Sequence, residues 1–207
     1  MFLSRRLIQS LAIAAAFLAA WLAMLFAGTG PIDRAILGTL YAGDRPALAD
    51  AARIVTVLGD GRWVTAVSIF AGLWLMREKR LNTAIVLLVG TGIGRIITEI
   101  QKYEVNRLRP GDNPHLVATY SMSFPSAHSA NAMMVYLSLA LLLPQDRRGP
   151  WIAGALAIAV TVGVSRMMLG VHWPSDVVGG WCYGALWTLM LVTIDQTLKR
   201  NSKTSPS

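Results

Sequence analysis

The chain has a single cysteine, three histidines and only 11 acidic residues among 207. One thiol, Cys182, excludes an intrachain disulfide, a zinc–cysteine cluster and a dithiol redox pair. Its place inside an apolar run gives it a packing role. Charge of either sign is scarce: 14% of residues are charged and 54% are hydrophobic. That is too little polar surface to cover a soluble domain of this length. No segment repeats at a fixed period. A net charge of +8 would suggest nucleic acid in a soluble protein. Here the cations lie in short clusters between apolar runs, so membrane topology accounts for them and no nucleic-acid partner is expected.

What is present is a series of apolar runs, several near the length that crosses a bilayer. They predict an all-α integral membrane bundle of six transmembrane helices in one domain, residues 1–207. The spans fall at Leu7–Ala27, Trp63–Met76, Leu81–Ile100, His128–Leu143, Trp151–Leu169 and Val177–Ile194. A cleaved signal peptide is the rival reading of the first, but its apolar core would be shorter and no clear small-residue cleavage site precedes Gly28. The second span is short, so its ends are poorly defined. Within the connection 28–62, Ala47–Leu58 suits a helix lying at the interface. The tail, 199–207, is polar and is expected to be disordered. "GTGIG", Gly90–Gly94, completes no dinucleotide fingerprint and follows no strand; close helix packing through Gly90 and Gly94 explains it better.

Six spans place both termini on one side. The short segments there carry Arg5, Arg6, Arg77, Lys79, Arg80, Arg147, Arg148, Lys199, Arg200 and Lys203 against Glu78, Asp146 and Asp195. The opposite side nearly balances its cations with acids. Short cation-rich segments stay in the cytoplasm, so both termini are expected there.

Polar residues at membrane depth are functional candidates by default, and they form three islands. These are Lys102–Pro110 after the third span, Pro125–His128 before the fourth, and Ser165 to Asp176 between the fifth and sixth. Helix counting brings all three to the extracytoplasmic face. Lys102, Arg109 and Arg166 supply lasting positive charge suited to phosphate oxygens. The fourth helix opens with unpaired N–H groups, the positive end of its dipole and the Ser126 hydroxyl, which together favour an anion. His172 and Asp176 are four residues apart around Pro174, a residue suited to a helix's first turn. A carboxylate there can hold one imidazole nitrogen and leave the other free to attack, with His128 as general acid. Two histidines and a carboxylate also suit iron or zinc, but the three cations would repel a divalent ion. His115, in "GDNPHL", pairs with nothing in the sequence and reads as a loop residue near the substrate.

Lys102, six residues, Arg109-Pro110; Pro125-Ser126-Ala127-His128; Ser165-Arg166, five residues, His172, three residues, Asp176: this order and spacing resembles the three-part signature of the type-2 phosphatidic acid phosphatase and vanadium haloperoxidase superfamily, in its six-span membrane branch. The one departure is Ala127, where the family usually has glycine. The resemblance implies a lipid phosphate hydrolase that needs no metal or cofactor and passes through a phosphohistidine on His172. Lys102, Arg109, Ser126, Arg166 and the backbone near Ala127 and His128 would hold the phosphoryl oxygens. The expected setting is a bacterial inner membrane with the site facing outward. Undecaprenyl diphosphate is the first substrate expected, with phosphatidylglycerophosphate, phosphatidate and lipid A phosphates as alternatives. A soluble haloperoxidase, a lipid phosphotransferase and a non-catalytic lipid-binding protein are the other classes weighed.

Overall fold

A computed structural model describes residues 5–143 and 148–204. Among them are eight α-helices and no strand: α1 (Arg5–Ala27), α2 (Pro31–Leu40), α3 (Pro46–Thr56), α4 (Gly61–Arg77), α5 (Leu81–Val105), α6 (Ala127–Leu142), α7 (Arg148–Met168) and α8 (Pro174–Thr204). A short 3-10 turn, Val57–Gly59, joins α3 to α4.

Six of these helices stand where apolar runs predict spans. Four of them, α1, α5, α7 and α8, are long and apolar enough to cross a membrane unaided. α4 qualifies only together with α3, from which it bends by 45°. α6 has 16 residues, about 24 Å at 1.5 Å per residue, against a hydrocarbon core of roughly 30 Å. Protein surrounds it instead of lipid: α4, α5, α7 and α8 all pack on it. That enclosure lets it carry Ser129, Asn131 and Ser138 as buried polar residues.

Close approach of α6 to α8 depends on small residues. A Cβ added at Gly180 would lie 2.6 Å from the Ser126 carbonyl, and one at Gly184 would lie 2.7 Å from that of Ala130. Such contact of backbones is how helices associate where lipid removes the hydrophobic drive between them. Gly90 and Gly94 act likewise: their carbonyls accept from Trp187 Nε1 and the Tyr183 hydroxyl, both at 2.8 Å. Cys182 is buried and free.

Two segments differ from the sequence-based expectation. The connection 28–62 contains not one helix but two. α2 opens with Pro31 at its start and Asp33 in its first turn, and is too short to register as a span. The tail does not lose order at 199, since α8 continues to Thr204. Asp195 accepts from Thr83 Oγ1 at 2.7 Å and from Lys199 Nζ at 2.5 Å, an i,i+4 pair that supports another turn of helix. Residues 205–207, and Asp146 and Arg147 of the charged fourth connection, lie outside the described residues.

The C-terminal ends of α5 and α7 and the N-terminal ends of α6 and α8 meet at one end of the bundle. α5 stops at Asn106, whose left-handed φ of 50° turns the chain into an irregular segment that crosses this end before α6 begins.

Candidate active site

At that end lies a cavity of about 510 Å³. Lys102, Arg109, Ala127, His128, Arg166 and His172 line it. The three polar islands, separated by up to 70 residues, therefore share one wall.

Lys102 sits in the last turn of α5, only 2% exposed, and its Nζ donates to the Met122 carbonyl at 2.7 Å. Arg109 donates from Nε to the Ser121 carbonyl at 2.8 Å and from Nη1 to the Val171 carbonyl at 2.7 Å. Arg166, at the end of α7, donates from Nη1 to Thr56 Oγ1 at 3.0 Å. Its Nε is buried without a hydrogen-bond partner among the described residues. Ala127 keeps its N–H in the first turn of α6, where helical partners are lacking. Ser126 is fully buried as the N-cap of α6 and accepts from Ser129 Oγ at 3.0 Å; its hydroxyl lies behind the cavity wall.

His172 is held from both sides. Arg109 Nη1 lies 3.1 Å from its Nε2. A guanidinium can only donate, so Nε2 carries the lone pair and Nδ1 the proton. Asp176 Oδ2 lies 3.5 Å from Nδ1, and Ser123 Oγ lies 3.4 Å from it. Burial, then the charges of Arg109, Lys102, Arg166 and His128, hold His172 well below its ordinary pKa. The ring therefore stays neutral, and its lone-pair nitrogen, Nε2, accepts from Arg109 beside the cavity. Asp176 is fully buried behind it.

His115 is held away from the cavity: its Nε2 pairs with the Pro110 carbonyl at 2.7 Å. Instead, Ala118–Ser121 of the same connection form part of the cavity wall. Among the described residues, no three His, Cys, Asp or Glu side chains are grouped as metal ligands would be.

The model of the PAP2 superfamily matches residues 83–200, which include every one of these motif residues. The chain belongs to the PAP2 superfamily. It is 31% identical over 153 residues to phosphatidylglycerophosphatase B of Bacillus subtilis, covering 70% of this chain and 74% of that one. It is 32% identical over 146 residues to an undecaprenyl-diphosphatase of Sulfolobus acidocaldarius, covering 66% of each. Its fold matches the crystal structure of a transmembrane PAP2 type phosphatidylglycerolphosphate phosphatase from Bacillus subtilis. The TM-score is 0.83 at 28% identity, over 90% of this chain and 98% of that one. This PAP2 chain is thus a multi-pass membrane phosphatase.

Behind the wall is a second layer that the motifs do not announce. Arg107 Nη1 donates to Asp176 Oδ1 at 2.8 Å and to Ser175 Oγ at 3.1 Å, while its Nη2 donates to the Met24 and Leu25 carbonyls at the end of α1. Its guanidinium lies 4.4 Å from the Phe124 ring centre, a cation–π contact. Asp33 of α2 accepts from the Ser175 N–H at 3.0 Å and from its hydroxyl at 2.5 Å. Ser123 Oγ donates to Asp176 Oδ2 at 2.5 Å, and the Trp173 N–H donates to the same oxygen at 2.9 Å. Asp176 thus has its charge paired and its lone pairs occupied, which a buried carboxylate requires.

Arg107 touches Asp176 and not the cavity, so it acts as a positioning residue. Arg107→Gln should destabilise the fold by leaving buried Asp176 without its countercharge. In the folded fraction it should lower kcat by about 10- to 100-fold, by analogy with outer partners of metal-bound imidazoles. KM should stay within about three-fold, and Arg107→Lys should recover part of kcat. A kcat equal to wild type in the Gln variant would deny it this role.

Proposed function

We propose that this PAP2 protein hydrolyses lipid phosphates through a phosphohistidine at His172. The observation that carries the reading is His172 on a cavity walled by Lys102, Arg109 and Arg166, with Arg109 at Nε2 and Asp176 behind Nδ1.

In the first step Nε2 attacks phosphorus, an N–P bond forms and the P–O bond to the lipid breaks. His128 gives its proton to the departing oxygen. A phosphate dianion held by Lys102, Arg109 and Arg166 favours the protonated imidazole beside it. In the second step water attacks the phosphoryl group, the N–P bond breaks, and the proton from water returns to His128. Inorganic phosphate leaves and both histidines are restored. Lys102, Arg109, the unpartnered Nε of Arg166 and the first N–H groups of α6 stabilise charge building on the equatorial oxygens. Ser126 supports this donor set from behind, through the first turn of α6.

The cavity opens near the ends of apolar helices, where a headgroup meets water while its tail stays in lipid. Undecaprenyl diphosphate is the first substrate proposed. Phosphatidylglycerophosphate is the second, favoured by the likeness to the Bacillus phosphatase. Both termini are placed in the cytoplasm and the site outside a bacterial inner membrane.

A phosphate-release assay on purified protein tests this. Undecaprenyl diphosphate, phosphatidylglycerophosphate, phosphatidate and a lipid A phosphate are compared, with vanadate and EDTA as additives. Release from at least one lipid, inhibited by vanadate and indifferent to EDTA, is expected. Loss of activity in EDTA would replace this mechanism with a metal-dependent one. On intact spheroplasts, an impermeant short-chain lipid phosphate should be hydrolysed; hydrolysis only after lysis would invert the orientation.

A further inference from the structure

One cation on the cavity wall has no part in the mechanism above. Arg95 lies on α5 seven residues before Lys102, about 10 Å lower along the axis, with Glu99 between them; all three line the cavity. Arg95 Nη1 donates to Thr65 Oγ1 of α4. Among the described residues no carboxylate lies within ion-pair distance of it, Glu99 included. A guanidinium within a spanning helix is costly unless something compensates it. Reaching towards water would account for its direction but not for the seat built for it. Gly61 opens α4, and a Cβ there would fall 2.5 Å from Arg95 Nη2. A Cβ there would displace the end of the guanidinium from its present position against the helix.

A second polar group faces the same space. Asn131 is one turn beyond His128 on α6, is 5% exposed and lines the cavity. Its Nδ2 donates to the Gly59 carbonyl at 3.4 Å, while its Oδ1 is buried with no partner. Arg95 and Asn131 therefore line the same cavity as His128, the acid assigned to the leaving oxygen.

We propose that Arg95, seated on Gly61 with Asn131 beside it, forms a subsite for a second anionic group carried by the leaving part of the substrate. This rests on the lipid-phosphatase reading and deepens it. The enzyme then selects lipids with a further phosphate between the scissile phosphoryl group and the tail. A lipid diphosphate supplies one directly. A phosphodiester-linked glycerophosphate supplies one across a glycerol, whose hydroxyl can donate to Asn131 Oδ1. A simple phosphatidate supplies none.

Two matched pairs test the subsite: farnesyl monophosphate against farnesyl diphosphate, and dioleoyl phosphatidate against dioleoyl phosphatidylglycerophosphate. Within each pair the tail is constant. Wild-type kcat/KM should favour the second member. In Arg95→Gln that member should lose about 10- to 100-fold, as for a lost charge-assisted hydrogen bond, while the first stays within about three-fold. The quantity read is the ratio within a pair, from which general damage cancels. Should the Gln variant not purify, Arg95→Lys should shift the ratio by about three-fold or more, because a point charge replaces the fork. A changed ratio in one pair only names the source of the second anion. Unchanged ratios in both would overturn the subsite. Wild-type protein inactive on all four would overturn the lipid-phosphatase reading, and the subsite with it.

Discussion

His172→Ala should give a folded protein that releases no measurable phosphate from any lipid. Removing a nucleophile that works as one unit with its acid and orienter costs on the order of 10⁴-fold or more, leaving only what binding and charge stabilisation provide. The folded state should survive for a reason visible behind the ring. The buried charge of Asp176 is neutralised by Arg107 at 2.8 Å and held by Ser123 and the Trp173 N–H, none of which depends on the imidazole. Asp176→Ala, by contrast, would leave Arg107 without its carboxylate, and stripping one partner from a buried pair destabilises strongly. Turnover near the wild-type rate in a well-folded His172→Ala protein would remove the nucleophile and the two-step scheme together.

His128→Ala should slow lipid hydrolysis by about 10²- to 10⁴-fold, the range for general acid–base catalysis. The informative result is its dependence on the leaving group. With p-nitrophenyl phosphate the departing oxygen needs little protonation, so N–P bond formation no longer relies on His128. Release of phosphate from the phosphohistidine still does, because water must give up a proton. A rapid burst of nitrophenolate, about one per enzyme, should therefore precede a slow steady rate. A variant equally slow on both substrates with no burst would place His128 outside proton transfer. His172→Ala should show neither burst nor steady release.

Much of the fold was readable because lipid imposes a simple condition: a spanning segment must be apolar and helical. All six runs fall in helices, of which four are long and apolar enough to span unaided and a fifth only together with α3. The condition says little where protein replaces lipid. α6 is short and carries Asn131 and two buried serines, Ser129 and Ser138, because α4, α5, α7 and α8 enclose it. α2 went unseen because a helix of ten residues leaves no span-length signal, and α8 outran its apolar stretch on an ion pair between Asp195 and Lys199.

The site divides in the same way. Lys102, Arg109, His128, Arg166 and His172 were legible from residue type, local spacing and the order of the helices, and the structure brings them to one cavity. Ser126 was legible as an N-cap, but its burial behind the wall was not. Arg107, Ser123, Asp33 and Ser175 gave no usable signal. Asp33 and Ser175 are 142 residues apart, and no local pattern couples them. Arg95 belongs to no motif in the sequence. Its meaning depends on Gly61 of a neighbouring helix and on the lack of a carboxylate nearby.

By itself, then, the sequence determined that this chain is a membrane helix bundle and which motif side chains converge on one cavity, since hydropathy and motif spacing are local properties of the chain. Tertiary structure alone decided which groups steady the His172–Asp176 pair and which cations share the cavity with Arg95. Those are contacts between remote segments, fixed only when packing sets distances of a few ångströms.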